Sequence, residues 1–191
     1  MPIKRVPMQK IFRERYKKLK IDKRVLILIL VGWILSFFIN LKIVLFASFF
    51  IISNAILLSI DRYIQMPVDI EFSTFAAILF TLAFSLKWGI FIGIATKVGA
   101  MMYNANVRAD HFFMIGGYVM AAVIANLLRG MNVVTIGIIT VLIVNTYIYL
   151  VSKYITNLYP FEILMYGGSN IIWNLILFSG FSSFLLKIMK I

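Results

Sequence analysis

The sequence predicts an all-α polytopic membrane protein: a compact bundle of about six transmembrane helices, with one extra N-terminal hydrophobic helix. Of the 191 residues, 62% are hydrophobic and only 14% are charged, which leaves too little polar surface for a water-soluble domain of this length. The apolar residues form blocks close to the roughly 20 residues that a helix needs to cross a bilayer. Because the blocks lack the strict alternation of barrel strands, they indicate helices of a single membrane domain.

The chain begins with a basic segment, residues 1–24, that holds ten of the nineteen lysines and arginines and much of the net charge of +12. A basic run directly before a hydrophobic block is typical of a cytoplasmic tail that touches anionic membrane lipid. We therefore expect no binding to nucleic acid. The predicted domains are this cytoplasmic tail at 1–24 and one transmembrane helical domain at 25–191.

Seven hydrophobic blocks follow the tail. They are 25–39, 43–60, 72–86, 88–103, 112–128, 131–152 and 163–186. The block at 25–39 is the extra helix; it is apolar on all sides, which excludes an interfacial amphipathic helix. The other six form the predicted core. Whether the extra helix crosses the membrane completely decides on which side the C-terminus lies, and both topologies stay open.

Three longer connections, at 61–71, 104–111 and 153–162, are expected on the same side of the membrane. The acidic residues outside the tail all lie on this loop face: Asp61, Asp69, Glu71, Asp110 and Glu162. Basic residues favour the opposite ends, with Lys42, Lys87, Arg129, Lys187 and Lys190 there against Arg62, Arg108 and Lys153 on the loop face. Since cytoplasmic segments are enriched in lysine and arginine, this balance favours an external loop face.

Two blocks carry small residues at helical spacing. Gly89 and Gly93 are four residues apart in the third core block, and Gly117 and Ala121 repeat the spacing in the fourth. Helices in lipid associate through such stripes because small side chains let the backbones come close. The spacing therefore predicts helix packing at these four positions.

Lys97 is a charge inside an apolar helix. It lies ten residues after Lys87, about 15 Å further along a helix, and it flanks the glycine stripe. One interpretation is an interior position, with Asp69, Glu71 or Asp110 as its partner, because ionisable groups at this depth are costly and usually paired or functional. The alternative is a lysine that snorkels to the interface.

Several other polar residues lie within or beside the apolar blocks. The amides are Asn54, Asn126, Asn145, Asn170 and Asn174. An amide in a membrane helix is expected to hydrogen-bond across to another helix. Asp110 is placed to cap the N-terminus of the fourth core helix, and His111 beside it is expected to make a loop contact. Tyr103 and Tyr118 offer stacking surfaces, although tyrosines of this kind often anchor a helix at the interface.

Signatures of enzymes and metal sites are missing from the sequence. There is no cysteine and only one histidine, which excludes disulfides, thiol catalysis and a multi-histidine metal site within one chain. The motifs HExxH, GxxxxGK[ST] and GxSxG do not occur. We therefore expect no catalytic residue, no metal and no cofactor, and the chain is not expected to be an enzyme.

The stretches "VDIEFSTFAAILFTLAFSLKWGIFIGIATKVGAMM" and "FFMIGGYVMAAVIANLLRG" resemble the substrate-binding S components of energy-coupling factor transporters. In that likeness, 86–89 stand for a short glycine turn, Gly93 and Gly99 for the glycine-rich third helix, and 116–118 ("GGY") for the start of the fourth. The stretch "YPFEILMYGGSNIIWNLILFSGF" looks like the sixth helix. The resemblance covers about residues 43–187.

The resemblance implies a membrane subunit that binds a small vitamin-like solute and works with a transmembrane coupling subunit and separate ATPases. Its binding pocket is expected to open to the loop face, between the three longer connections and the fourth to sixth helices. The candidate substrate-binding residues are Lys97, Tyr103, Asp110, His111, Tyr118, Asn145, Asn170 and Asn174. In size and glycine pattern the chain also looks similar to the rod-shape-determining membrane protein MreD. That likeness implies instead a membrane scaffold that anchors cytoplasmic cell-shape or envelope machinery.

Overall fold

A computed structural model describes residues 40–60, 66–105 and 107–191. The basic tail at 1–24, the extra hydrophobic block at 25–39 and the loop residues 61–65 lie outside the described residues. The expectations about the tail and the extra helix therefore stay predictions.

The described part of the chain is all-helical and contains no strand, which confirms the helical class. Its seven helices are α1 (Leu41–Leu57), α2 (Ser73–Ala83), α3 (Leu86–Tyr103), α4 (Ala109–Leu127), α5 (Val133–Tyr154), α6 (Pro160–Gly180) and α7 (Ser182–Lys190). The chain divides between Val44 and Leu45, and Leu45–Ile191 is one compact unit. The cavity and the polar cluster described below belong to that unit.

Three helices, α4, α5 and α6, are long and apolar enough to cross a membrane, which indicates a membrane protein. The outer surface agrees with this: on α3, Phe91, Ile94, Val98 and Met102 are exposed. They recur every three or four residues and so form one stripe of the helix. An apolar stripe of this kind suits contact with lipid, whereas α1 and α2 are shorter than the three spanning candidates.

The helix α2 is short and enclosed. It has 11 residues, which makes it about 16 Å long, roughly half the thickness of the hydrocarbon core. Every residue from Ser73 to Leu82 is buried, and α2 contacts α3, α4, α5, α6 and α7. The block predicted at 72–86 ends early because Ser85 is extended, with φ −166° and ψ 166°, and starts the turn into α3.

The last predicted block, 163–186, is two helices instead of one. The helix α6 ends at Gly180, and α7 begins at Ser182. Glycine has the lowest helix propensity after proline, and the Ser182 hydroxyl donates to the Phe178 carbonyl at 2.5 Å. The helix α7 carries Lys187 and Lys190 in its last turn.

Gly89 and Gly93 of α3 lie in close contacts with neighbouring helices, Gly89 with α2 and Gly93 with α2 and α4. A Cβ atom at Gly89 would overlap Thr81 Oγ1 and would lie 2.7 Å from the carbonyl oxygen of Ala77. A Cβ atom at Gly93 would lie 3.0 Å from Tyr118 Cβ and 3.3 Å from Ala77 Cβ. A larger residue at Gly89 would therefore push α3 away from α2, and one at Gly93 would push it away from both α2 and α4.

The small residues of α4 lie in equally close contacts. A Cβ atom at Gly117 would lie 3.3 Å from Val144 Cγ1 of α5, and Ala121 is completely buried. The two stripes together bring α3, α4 and α5 into contact beside the central α2, and this arrangement positions the polar residues described next.

Candidate functional site

A cavity of about 690 Å³ lies where the segment before α2, the α3–α4 connection and the α5–α6 connection meet. Its walls come from α3, α4, α5 and α6 and are largely apolar, with Met101, Met114, Leu142, Ile148 and Ile163 among the lining residues. This volume is within the range of pockets that bind small molecules, and such pockets combine apolar walls with a few polar groups.

A small set of polar side chains reaches the cavity. They are Asp69, Lys97, Asn104, Arg108, Asp110, His111, Asn145, Thr146, Ser152, Lys153 and Thr156. Because they converge from α3, α4, α5 and the connections, these groups could orient a bound solute, while the apolar walls would supply contact area.

An acid–base cluster lies against the buried side of the cavity. The Lys97 ammonium is 3.6 Å from Glu71 Oε2, and both side chains are almost completely buried. The Tyr118 hydroxyl donates to the same oxygen at 2.7 Å, and the Ser73 hydroxyl donates at 3.3 Å. The ammonium also lies 6.0 Å from the centre of the Tyr118 ring, which allows a cation–π attraction.

The position of Glu71 explains how a buried carboxylate is tolerated there. It lies two residues before the first residue of α2, and the partial positive charge at a helix N-terminus favours an acidic side chain. Its backbone carbonyl accepts a hydrogen bond from Trp173 Nε1 at 3.1 Å, which ties the segment to α6. Among the described residues, Glu71 Oε1 has no hydrogen-bond partner.

A second polar network links the segment before α2 to α5 and α6. Asn170 Nδ2 donates to Asp69 Oδ2 at 3.0 Å, and Asn145 Nδ2 donates to Asn170 Oδ1 at 3.0 Å. Asn174 Nδ2 donates to Asn170 Oδ1 at 3.2 Å, and the Asp69 backbone N–H donates to Ser169 Oγ at 2.8 Å. These bonds join Asp69 to residues 100 and 101 positions later in the chain, and so they fix one wall of the cavity.

Asn54 of α1 makes a similar junction at the start of α2. Its amide nitrogen lies 3.2 Å from both Ser73 Oγ and the Thr96 carbonyl oxygen, and its Oδ1 accepts from the Phe72 N–H at 2.6 Å. The cross-helix bonding predicted for intramembrane amides is therefore present at Asn54, Asn145 and Asn170. The prediction is wrong for Asn174, whose amide, among the described residues, bonds only to Asn170 of the same helix.

Arg108, Asp110 and His111 lie where the α3–α4 connection enters α4. The Arg108 guanidinium makes two hydrogen bonds to the Asp110 carboxylate, at 3.0 and 2.8 Å, and the Arg108 N–H donates to His111 Nδ1 at 3.3 Å. Burial lowers the pKa of Arg108, but Asp110 and Tyr166 outweigh it and the pKa is raised, so this group stays cationic. The predicted N-cap at Asp110 is wrong, because α4 begins at Ala109 and the N-cap residue is Arg108.

The predicted site residues fall into three groups. Lys97, Asp110, His111 and Asn145 line the cavity. Tyr118, Asn170 and Asn174 are buried behind its wall. There Tyr118 donates to Glu71, Asn170 donates to Asp69, and Asn174 donates to Asn170. Tyr103 is 67% exposed and lies outside the lining.

Sequence reasoning did not propose Asp69, Arg108 or Lys153 as lining residues. All three lie at or beside the three loop-face connections, so a search of those connections for charged residues would have found them. For Lys97, the structure agrees with the interior position and selects Glu71 from the three proposed partners. In the described ranges, no group of three histidine, cysteine or acidic side chains could hold a metal ion.

No protein-family model, curated protein or solved structure matches the chain. The geometry of the cavity and the sequence patterns are therefore the basis of the functional proposal that follows.

Proposed function

We propose that this protein is a multi-pass protein of the cell membrane that binds a small vitamin-like solute, similar to the S component of an energy-coupling factor transporter. The observation that supports the proposal is the cavity of about 690 Å³ between the three loop-face connections. It has apolar walls and a few converging polar side chains, as expected for a small-molecule site.

The proposal treats α1 to α6 as the transmembrane bundle. Three of these helices are long and apolar enough to cross a membrane. The helix α2 is enclosed by its neighbours, so it needs no lipid contact of its own. In this view the cavity opens at the external face, which agrees with the balance of lysine and arginine between the two faces.

The transport role follows from the resemblance of the sequence to S components. That resemblance implies that energy for uptake would come from separate ATPases acting through a transmembrane coupling subunit, and the sequence itself contains no GxxxxGK[ST] loop. The chain itself would supply recognition of the solute.

Mass spectrometry of small molecules that co-purify with the protein tests solute binding. We expect a solute to be retained by the native chain and lost from Gly168→Trp, because Gly168 lines the cavity and a Cβ there meets open space. Gly180→Trp is the matched control: it lies on the same helix, its Cβ also meets open space, and it is outside the lining. Failure to find any retained molecule, or equal retention in both variants, would count against the proposal.

A second candidate function is an MreD-like scaffold that anchors cytoplasmic machinery. The observation that favours it is the concentration of ten basic residues in 1–24, which suits an acidic partner as well as anionic lipid. Capture of partners by the full chain and by a chain lacking 1–24 separates the two functions. If every partner stays bound without the tail, the scaffold role loses its support.

A further inference from the structure

Lys97 holds an unusual position because it is both buried and short of hydrogen-bond acceptors. Its side chain is 4% exposed and lines the cavity. The distance of 3.6 Å to Glu71 Oε2 is an ion-pair distance, longer than the 2.7–3.2 Å of a hydrogen bond. In the described part of the chain no group accepts a hydrogen bond from this ammonium, although an ammonium has three donors.

Glu71 does not depend on Lys97 for its hydrogen bonds. Its Oε2 atom already accepts from the Tyr118 and Ser73 hydroxyls. An acceptor that entered from the cavity could therefore take the donors of Lys97, while Glu71 kept both of its hydrogen bonds. The electrostatic attraction to Glu71 keeps the ammonium in place when no such acceptor is present.

The acidic side chains that line the cavity already have partners. Asp110 is bound by Arg108 through two hydrogen bonds, and Asp69 accepts from Asn170. Two lysines of the described chain line the cavity. Lys153 is exposed and lies against the rings of Tyr149 and Tyr154, whereas Lys97 is buried. Lys97 is therefore the buried cation of the lining that a ligand could bind without breaking a hydrogen bond between described residues.

We infer that the cavity takes a small amphipathic anion whose carboxylate binds the Lys97 ammonium. The carboxylate would accept hydrogen bonds from Lys97 at the buried end of the cavity, and the apolar part of the solute would pack against Met101, Met114 and Ile163. This inference rests on the proposed function and adds the substrate class to it.

The test uses three pairs of probes that differ in charge and little in shape: hexanoate and hexanamide, 4-phenylbutyrate and 4-phenylbutyramide, and indole-3-acetate and indole-3-acetamide. Binding is measured by calorimetry with the full chain in nanodiscs of phosphatidylcholine. At least one acid is expected to bind about tenfold more tightly than its amide, as a charge-assisted hydrogen bond implies.

Two variants assign the preference to Lys97. The double variant Lys97→Met, Glu71→Gln removes both charges and strands neither, so it is expected to fold, with a sharp melting transition, and to bind acid and amide equally. Glu71→Gln alone removes the competing carboxylate and is expected to strengthen binding of the acid about tenfold. If the ion pair were only structural, Glu71→Gln would not raise the affinity for the acid, because loss of either partner would then only lower the stability of the fold.

The outcomes separate this inference from the proposed function. Equal binding of acids and amides by the native chain, or a preference that survives the double variant, would overturn the anionic class and leave a solute site intact. If no probe binds, the anionic class is overturned, and the proposed function then depends on the co-purification result alone. Loss of acid binding in discs that contain phosphatidylglycerol would assign Lys97 to a lipid headgroup and overturn the solute assignment.

Discussion

Glu71 is a completely buried carboxylate beside the N-terminus of a short helix. One of its oxygens receives two hydroxyl donors and an ammonium, while the other has no hydrogen-bond partner among the described residues. A carboxylate in such surroundings depends strongly on each group that faces it, because its desolvation is costly.

Tyr118→Phe removes a hydrogen bond to Glu71 without changing the packing of the ring. Because Tyr118 is completely buried and its hydroxyl is 2.7 Å from the carboxylate, we expect the free energy of unfolding to fall by about 1.5–3 kcal/mol. Unfolding by SDS in mixed micelles measures the change. Tyr103→Phe is the control, since Tyr103 is 67% exposed, and it should change stability by less than about 0.5 kcal/mol. Equal effects in both variants would contradict the role of the Tyr118 hydroxyl.

Lys97→Met strands the Glu71 carboxylate without its cation. Removal of one partner of a buried pair is expected to cost about 3–5 kcal/mol of unfolding free energy. Adding Glu71→Gln removes the stranded charge, so the double variant should recover most of this loss. The same unfolding assay applies, and a double variant as unstable as Lys97→Met would contradict the cost of a stranded charge on Glu71.

The interior position of Lys97 could be predicted from the sequence, but its partner could not. Asp69, Glu71 and Asp110 all lie on loop-face connections, and sequence separation does not say which connection reaches the third core helix. The bond between Asp69 and Asn170 joins residues 101 positions apart, and nothing in either local sequence indicates that pairing. The polar cluster is thus a product of tertiary packing.

At the scale of helices, hydrophobic blocks and small-residue stripes indicated most elements to within a few residues. The early end of α2 and the break between α6 and α7 were not predicted. Apolar residues continue to Phe84 at the first position, and at the second the stretch "SGFSS" at 179–183 interrupts the apolar block only briefly. An extended Ser85 and a helix end at Gly180 depend on local backbone geometry, to which hydropathy is insensitive. The order of helices was therefore predictable, whereas the short length of α2 was not.

Gly93→Leu places a branched side chain where α3 meets α2 and α4. A Cβ there already lies 3.0 Å from Tyr118 Cβ, so the helices must separate, and we expect a loss of about 1–3 kcal/mol in unfolding free energy. Gly180→Leu is the matched control, because nothing lies within 4 Å of its Cβ position. Unfolding in detergent compares the two; an unchanged Gly93→Leu protein would argue that this stripe faces lipid.

At the scale of the whole molecule, α5 runs from the turn that contains Gly130 to the α5–α6 connection beside the cavity. The α5–α6 connection holds Tyr159, which is 76% exposed and lies at the end where the cavity is formed. Gly130, in the turn before α5, is exposed as well. If α5 crosses the membrane, these two positions lie on opposite sides of it.

The absence of cysteine from the sequence allows a clean test of this arrangement. Tyr159→Cys should react with a membrane-impermeant maleimide added to intact cells, because the proposed loop face is external. Gly130→Cys should react only after the cells are permeabilised. Labelling of both from the same side would contradict a spanning α5, and the reverse pattern would invert the proposed orientation.

The enclosure of α2 also has a consequence for biosynthesis. The helix emerges from the ribosome before every element that surrounds it except α1, and α3 to α7 are all made later. At about 16 Å it is too short to be held across the bilayer alone. This segment therefore becomes fully enclosed only after α3 to α7 have been translated, so the central helix of the protein is made before most of the helices that cover it.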